Sequence, residues 1–326
     1  MNNKNISLGL IGIGYWGKNL ARNLNDLGVL KSICDLNLEN INFSKKKYSH
    51  IEHYNEIDQL LDSNIDGVVI ATPAVTHGSL VTKALNKGKH VFVEKPLCLD
   101  VKEGQTLIRL AKKNNLKLMV GHLLLYHPAF IALKAVVSRG SIGKIRYLYS
   151  NRLSLGKLRK EENALWSFAP HDISMILSIL NMDPITVEAS GGSFMNRGIV
   201  DTSMTFMHFP DGIKAHVFVS WLHPYKDQRL IVVGDKGMIT FNDVEKNENK
   251  LVLYQHDVEW KGDIPVIEKA KGKSIKFDIN IEPLRFECES FLNWIKLDIK
   301  PPSDGEEGLR VLKVLDRAES ELKRKL

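Results

Sequence analysis

Ile6-Ser-Leu-Gly-Leu-Ile-Gly12-Ile-Gly14-Tyr-Trp-Gly17, followed by residues 18–27, decides the fold. Ile6, Leu8, Leu10 and Ile11 form a short apolar strand, the glycines make a turn, and residues 18–27 carry a helical period. Gly12 permits the tight turn, Gly14 leaves space for a pyrophosphate to approach the backbone, and Gly17 lets the helix lie close to the strand. Free N–H groups at the helix start then face phosphates. Tyr15 and Trp16 lie inside the turn and count with the glycines as cofactor-binding residues.

A second apolar strand, residues 29–34, ends in Asp35, about 20 residues beyond the turn, where a ribose-binding carboxylate is expected. Asp35 would accept from the ribose hydroxyls and repel a 2′-phosphate, and no arginine follows it closely, so the cofactor reads as NAD rather than NADP. Strand and helix patterns then alternate. Helices are expected near 55–61, over 76–86, 101–114 and 128–137, and strands over 67–71, 90–93 and 116–120. This rhythm implies an α/β protein with an N-terminal Rossmann domain, a doubly wound parallel sheet binding ligands at the carboxyl ends of its strands. Thr72-Pro73, Glu94-Lys95-Pro96 and Gly121-His122 fall at such ends. Lys95 would put an ammonium beside the nicotinamide ring.

Beyond about residue 123 the pattern changes to successive strands at 145–153, 187–190, 203–209, 214–221, 229–233, 238–241 and 251–254, closed by helices near 284–296 and 306–323. Residues 1–122 are therefore expected to form the NAD-binding domain. Residues 123–326 would form a C-terminal α+β domain containing a mostly antiparallel sheet, which binds substrate and mediates oligomerisation. Met204, Phe206, His208, His216, Phe218 and Ser220 leave the two faces of that sheet hard to separate, and dimerisation through it, as a homodimer or within a homotetramer, is the expectation.

A net charge of +7 alone would admit nucleic acid as a partner, but the basic residues are interspersed with acidic ones and form no long tract. They fit an anionic small substrate better. Three isolated cysteines give neither a disulfide framework nor a metal cluster, which points to a reduced, cytoplasmic setting. No apolar run is long enough to span a bilayer, and Met1-Asn-Asn-Lys leads straight into the first strand without a secretion signal.

Gly12-Ile-Gly-Tyr-Trp-Gly17, Ala71-Thr-Pro73 followed by His77, Val93-Glu-Lys-Pro96 and Gly121-His122 together resemble the Gfo/Idh/MocA family of NAD(P)-dependent sugar and cyclitol oxidoreductases, over essentially the whole chain. The Glu-Lys-Pro triplet is the most specific of these motifs. The resemblance implies that Lys95 is catalytic and that Thr72, Pro73, His77, Glu94, Pro96 and His122 join the cofactor site. It also aligns His171 with the family's active-site histidine, which normally follows an aspartate four positions earlier; here that position is Ser167. Asp172 points about 100° away on a helix, which leaves its ability to compensate open.

Ser150-Asn-Arg-Leu153, Gly156-Lys-Leu-Arg-Lys-Glu-Glu162, Asn163-Ala-Leu-Trp-Ser-Phe-Ala-Pro-His-Asp-Ile-Ser174 and Val219-Ser-Trp-Leu-His-Pro224 are most similar to the branch acting on UDP-sugars. That branch oxidises the 3-hydroxyl of UDP-N-acetylglucosamine, or of its uronic acid relative. The 3-keto product feeds an aminotransferase in routes to diamino sugars such as those of some lipid A molecules and other cell-surface glycans. The resemblance implies that Arg152, Lys157 and Arg159 meet a diphosphate, that Trp166 stacks on a sugar or base, and that Asn163 and His171 face the substrate.

Oxidising a secondary alcohol requires hydride departure to the nicotinamide and removal of the hydroxyl proton by a positioned base. No spaced cysteine and histidine set offers a metal site, so side chains must do the work. Neutral His171 would take the proton while Lys95 hydrogen-bonds the developing alkoxide. The roles can be exchanged, because a positive nicotinamide nearby favours a neutral Lys95. A free-sugar or cyclitol dehydrogenase would share Lys95 without needing the basic stretch. A non-catalytic NAD-binding sensor would be expected to lack one of the two groups.

Overall fold

The computed structural model describes residues 6–155, 162–195 and 198–325. They form two compact units. The first holds the chain up to Leu123 together with Glu282–Leu312, and the second holds Leu124–Ile281 with the residues from Lys313 onward.

The first unit runs β1 (Leu8–Ile11), α1 (Gly17–Asp26), β2 (Leu30–Cys34), α2 (Leu38–Lys47), β3 (Glu52–Tyr54), α3 (Ile57–Asp62), β4 (Gly67–Ile70), α4 (His77–Asn86), β5 (His90–Glu94), α5 (Val101–Lys113) and β6 (Leu118–Gly121). The six strands make one parallel sheet in the order β3-β2-β1-β4-β5-β6. Each of β1, β4 and β6 is buried along its whole length, as befits strands covered on both faces. Register places the functional ends level, because Ile11 pairs with Ile70, Ile70 with Val93 and Glu94 with Gly121. The segments after β1, β4, β5 and β6 therefore leave the sheet at one rim.

Residue patterning did not predict α2 or β3. Only Ile41 and Ser44 of α2 are buried, so it carries almost no apolar stripe. Its start is fixed instead by Asn37, whose side chain accepts from Glu39 N at 2.8 Å.

The second unit contains α6 (Pro128–Ser138), β7 (Ile145–Leu153), α7 (Ala164–Leu180), β8 (Thr186–Gly192), β9 (Thr202–His208), β10 (Lys214–Ser220), β11 (Asp227–Gly234), β12 (Gly237–Asn242), β13 (Leu251–Lys261), β14 (Ile264–Lys269) and β15 (Lys273–Ser274). Its sheet has the order β14-β13-β12-β11-β7-β10-β9-β8, with β15 also on β13. All pairs are antiparallel except β7 with β10. The mostly antiparallel α+β expectation holds, with β14, β15 and the long end of β13 added. Those added segments are exposed even at Val258, Trp260, Ile264 and Ile267, so no buried face marks them in the sequence pattern.

The two sheet faces separate cleanly. Ser203, Thr205, Met207, Ala215, Val217 and Val219 are buried, whereas Met204 and Phe206 are exposed and Tyr149 stacks on His216 at 5.4 Å. Small hydroxyl residues on the inward face blur the hydropathy alternation that would have told the faces apart.

The chain ends with α8 (Pro283–Leu297) and α9 (Gly305–Lys325). The expected second domain, 123–326, would take both helices; the structure groups α8 and the start of α9 with the first unit. Phe291 meets Phe92 of β5 with ring centroids 5.8 Å apart, Glu282 accepts from Arg22 at 2.5 Å, and Asp304 bridges to Met119 beside β6. A chain that returns to an earlier domain leaves no mark in local periodicity. Among the described residues no helix is long and apolar enough to cross a membrane.

Candidate active site

At the rim of the first unit the glycine turn has the shape its spacing implied. Gly12 adopts φ +92°, and a Cβ there would approach Ala71 O to 2.7 Å. A Cβ on Gly17 would meet Gly12 O at 2.1 Å, which fixes how closely α1 approaches the turn. At Gly14 a Cβ would meet nothing within 4 Å, so the space before the turn is open. Asp35 closes the other side. Its Oδ2 accepts from Ile13 N at 2.8 Å and Asn40 Nδ2 at 3.1 Å, and its Oδ1 accepts from Asn37 N at 2.8 Å. A carboxylate has about four acceptor positions, so Asp35 both holds the turn and keeps capacity for a ribose hydroxyl. The open turn and this acceptor fit a dinucleotide. Tyr15 lies fully open to solvent at 92% exposure, and Trp16 turns inward.

The ends of β4 and β5 are tied together by His77, the first residue of α4. Its Nδ1 lies 2.6 Å from Pro96 O and its Nε2 2.9 Å from Thr72 O, with the ring buried. His77 is thus a strut beneath the rim. Thr72 Oγ1 pairs with Thr76 Oγ1 at 2.7 Å, and Pro73 is exposed. Glu94 links β5 to the glycine turn, accepting from Trp16 Nε1 at 2.5 Å and from Lys95 N at 3.3 Å. Burial pushes its carboxyl up to about 7, against the downward pull of Trp16 and Lys95. Lys95 itself is half-buried at the strand end. His122 is buried, its Nδ1 has no partner, and burial with the nearby Lys95 charge pushes the imidazole down to about 3, so it is neutral.

In the second unit the predicted residues gather on α7. Asn163 caps the helix, its Oδ1 accepting from Trp166 N at 3.1 Å while its Nδ2 donates to Glu319 of α9 at 2.9 Å. Trp166 Nε1 donates to the same carboxylate at 3.2 Å. Pro170 lies inside the helix. Ser167 and His171, four residues apart, share one face of α7, with Ser167 buried and His171 half-buried. Asp172 points into the core. It accepts from Arg152 Nε at 2.6 Å, Arg152 Nη2 at 3.2 Å and Ser150 Oγ at 2.5 Å.

That network answers the question left at Ser167, because Asp172 is committed to Arg152 and does not replace the missing carboxylate. It also changes the reading of Arg152, which was expected to meet a diphosphate. Its guanidinium is buried and already balanced by a bidentate carboxylate. Lys157 and Arg159 lie outside the described residues. Patterning missed Asn37, Asn40, Glu319 and the buried Glu287 of α8. Glu287 had left a signal, since it falls three residues after Leu284 and four before Phe291, on the apolar stripe of its helix. Among the described residues no group of three or more His, Cys, Asp or Glu is arranged to hold a metal.

An NAD-binding unit with polar groups at one sheet rim, followed by an α+β unit, defines an NAD-dependent oxidoreductase class. Residues 6–122 match the oxidoreductase family model for an NAD-binding Rossmann fold, and residues 130–240 match the GFO/IDH/MocA C-terminal domain. The chain belongs to the Gfo/Idh/MocA family. It is 27% identical over 305 residues to UDP-N-acetylglucosamine 3-dehydrogenase of Acidithiobacillus ferrooxidans, covering 93% of each chain. It is likewise 27% identical over 319 residues to myo-inositol 2-dehydrogenase of Thermotoga maritima, covering 94% of this chain and 92% of that one. The solved structure of UDP-N-acetylglucosamine 3-dehydrogenase GnnA from Acidithiobacillus ferrooxidans superposes with a TM-score of 0.85 at 24% identity, over 98% of both chains.

Proposed function

We propose that this NAD-dependent oxidoreductase oxidises the 3-hydroxyl of UDP-N-acetylglucosamine to the 3-keto sugar nucleotide, which an aminotransferase then consumes. The observation that carries the reading is the similarity, along 93% of this chain, to a dehydrogenase of that substrate, in a chain that has Lys95 at the end of β5 and His171 on α7. Equal identity to a myo-inositol dehydrogenase means that overall similarity does not choose between substrates. The basic stretch containing Lys157 and Arg159 favours a sugar diphosphate, for which a free cyclitol has no use. The uronic acid relative of the same sugar nucleotide is the second reading.

When bound, NAD accepts a hydride at carbon 4 of its nicotinamide. His171 takes the proton of the substrate hydroxyl as a neutral imidazole, and Lys95 donates a hydrogen bond to the oxygen as negative charge develops there. Asp35 accepts from the adenosine ribose. Arg152 and Asp172 act from within, fixing α7 and with it the direction of His171. Three buried, unpaired cysteines suit a reduced cytoplasmic setting, and the exposed aromatic face of the second sheet suits a homodimer or homotetramer.

The test is mass spectrometry of a panel of UDP-sugars and free inositols incubated with the protein, NAD and a trapping aminotransferase. Loss of two hydrogens from UDP-N-acetylglucosamine, trapped as a 3-amino product, is expected. Turnover of inositols with no binding of UDP would reject the reading.

A further inference from the structure

Glu287 has no role in the site so far described. None of its surface is exposed, and among the described residues neither carboxyl oxygen has a hydrogen-bond partner. A buried polar group without a partner costs about 1–3 kcal/mol, and more when it is charged, so its presence on the apolar stripe of α8 calls for a reason.

Its surroundings supply one. Phe92 of β5 packs on Phe291 of α8. Glu94 lies two residues beyond Phe92, on the same face of the strand, and Glu287 lies one turn before Phe291, on the same face of the helix. The two carboxyl groups thus flank the same aromatic contact, on faces that β5 and α8 turn toward one another. Their donors are unequal. Glu94 accepts from Trp16 Nε1 and Lys95 N, and Glu287 accepts from nothing. The other titratable groups nearby are Cys288 beside Glu287, Lys95 beside Glu94, and Glu282, which is taken by Arg22 and Asn23 of α1. Gly121 of β6 leaves the Glu94 carboxylate room on its remaining side.

We propose that Glu94, half-buried at the end of β5, and the buried Glu287 form a carboxyl pair carrying one negative charge, with the proton on Glu287, and that Glu287 is a positioning residue for the NAD site. Two carboxylates in one water-poor interior do not both ionise, and the group with donors keeps the charge. Burial and the Glu94 charge both hold Glu287 well above the usual carboxylate range. The charge retained on Glu94 anchors Trp16, and so the glycine turn, to the end of β5. This inference rests on the NAD-binding role of the first unit and not on the choice of substrate.

Infrared spectroscopy of the full, cofactor-free chain tests the pair directly through the carbonyl stretch of un-ionised carboxylic acids. The wild type should keep one such band at mildly alkaline pH, and Glu287→Gln should lose it. In Glu94→Gln the band of Glu287 should vanish at lower pH than in the wild type, because the neighbouring charge is gone. A band unchanged by Glu287→Gln, or a Glu287 midpoint unmoved by Glu94→Gln, overturns the pair. If Glu287→Gln does not fold, the absence of any such band in the wild type, or an unmoved midpoint in Glu94→Gln, still overturns it. The positioning role is read from NAD affinity against pH: in the wild type it should fall at alkaline pH, where Glu287 ionises beside the Glu94 charge, and Glu287→Gln, which stays neutral, should lack that fall. A profile coinciding with that of the wild type would reject that role. None of these outcomes involves a sugar substrate, so failure here leaves the substrate reading standing.

Discussion

The strand-end rim of the first unit and the α7 face of the second both collect polar residues, yet they use them differently. At the rim, backbone geometry presents the groups: level strand ends, an open turn at Gly14 and a carboxylate at Asp35 with acceptor capacity left. On α7 most polar side chains are already satisfied internally. Asp172 is held by Arg152 and Ser150, and Asn163 and Trp166 are held by Glu319, while His171 lies half-buried on the same helix. A polar residue beside an active-site motif is therefore not by itself a ligand contact. Where it is fully buried, its partner usually lies in the protein.

The largest effect should come at the residues proposed for proton transfer, one in each unit. His171→Asn should lower turnover by about 10²–10⁴-fold and flatten the acid limb of the pH–rate profile, with NAD still bound. Lys95→Ala should lower turnover and change NAD affinity as well. Near wild-type rates for His171→Asn at every pH would leave Lys95 as the base.

Asp172→Ala should act on the fold. It strands a buried guanidinium, which typically costs about 3–5 kcal/mol, and thermal denaturation should show it while the first unit keeps its affinity for NAD. Loss of sugar-nucleotide affinity alone in Arg152→Ala, at unchanged stability, would break the contrast drawn here and restore Arg152 as a substrate contact.

Within the rim, Asp35→Ala should weaken NAD by about 1.5–3 kcal/mol, the worth of a hydrogen bond to a charged group, and weaken NADP much less. Equal wild-type affinity for both cofactors would count against the assignment. The turn offers a finer contrast. Gly17→Ala forces a Cβ against Gly12 O and should destabilise the fold by about 1–3 kcal/mol, whereas Gly14→Ala should leave stability unchanged and weaken NAD only. Equal losses of stability in the two variants would reject that division.

The last effect vanishes at neutral pH and is confined to acid. His122 titrates at about 3 in the fold against 6.5 ordinarily, so the unfolded chain binds the extra proton between those values. Its neutral burial favours the fold fully above about 6.5, and that contribution is lost as pH falls toward 3. His122→Asn should therefore show a shallower fall in melting temperature on acidification. A slope identical to that of the wild type would mean that His122 is not buried neutral.

The rim was legible because each of its parts is local. A strand, a glycine turn and the next strand end fix their own geometry within about thirty residues, which places Gly12 and Asp35, while Lys95 and His122 each directly follow a short apolar strand that marks its own end. The polar commitments of α7 were not legible in the same way, because Arg152 and Asp172 face each other across a strand and a helix, and Asn163 meets Glu319 from the far end of the chain. The return of α8 to the first unit was equally hidden. Periodicity marks the buried face of a helix but not the surface that buries it.

Sequence alone determined the family, the parallel sheet with its NAD turn, and the residue types available for hydride and proton transfer, since these follow from short-range spacing and side-chain chemistry. Tertiary structure decided which of those side chains were already partnered. It turned Arg152 inward onto Asp172, made His77 a strut, and enclosed Glu287 with Glu94, because burial and pairing depend on contacts between segments that are distant along the chain.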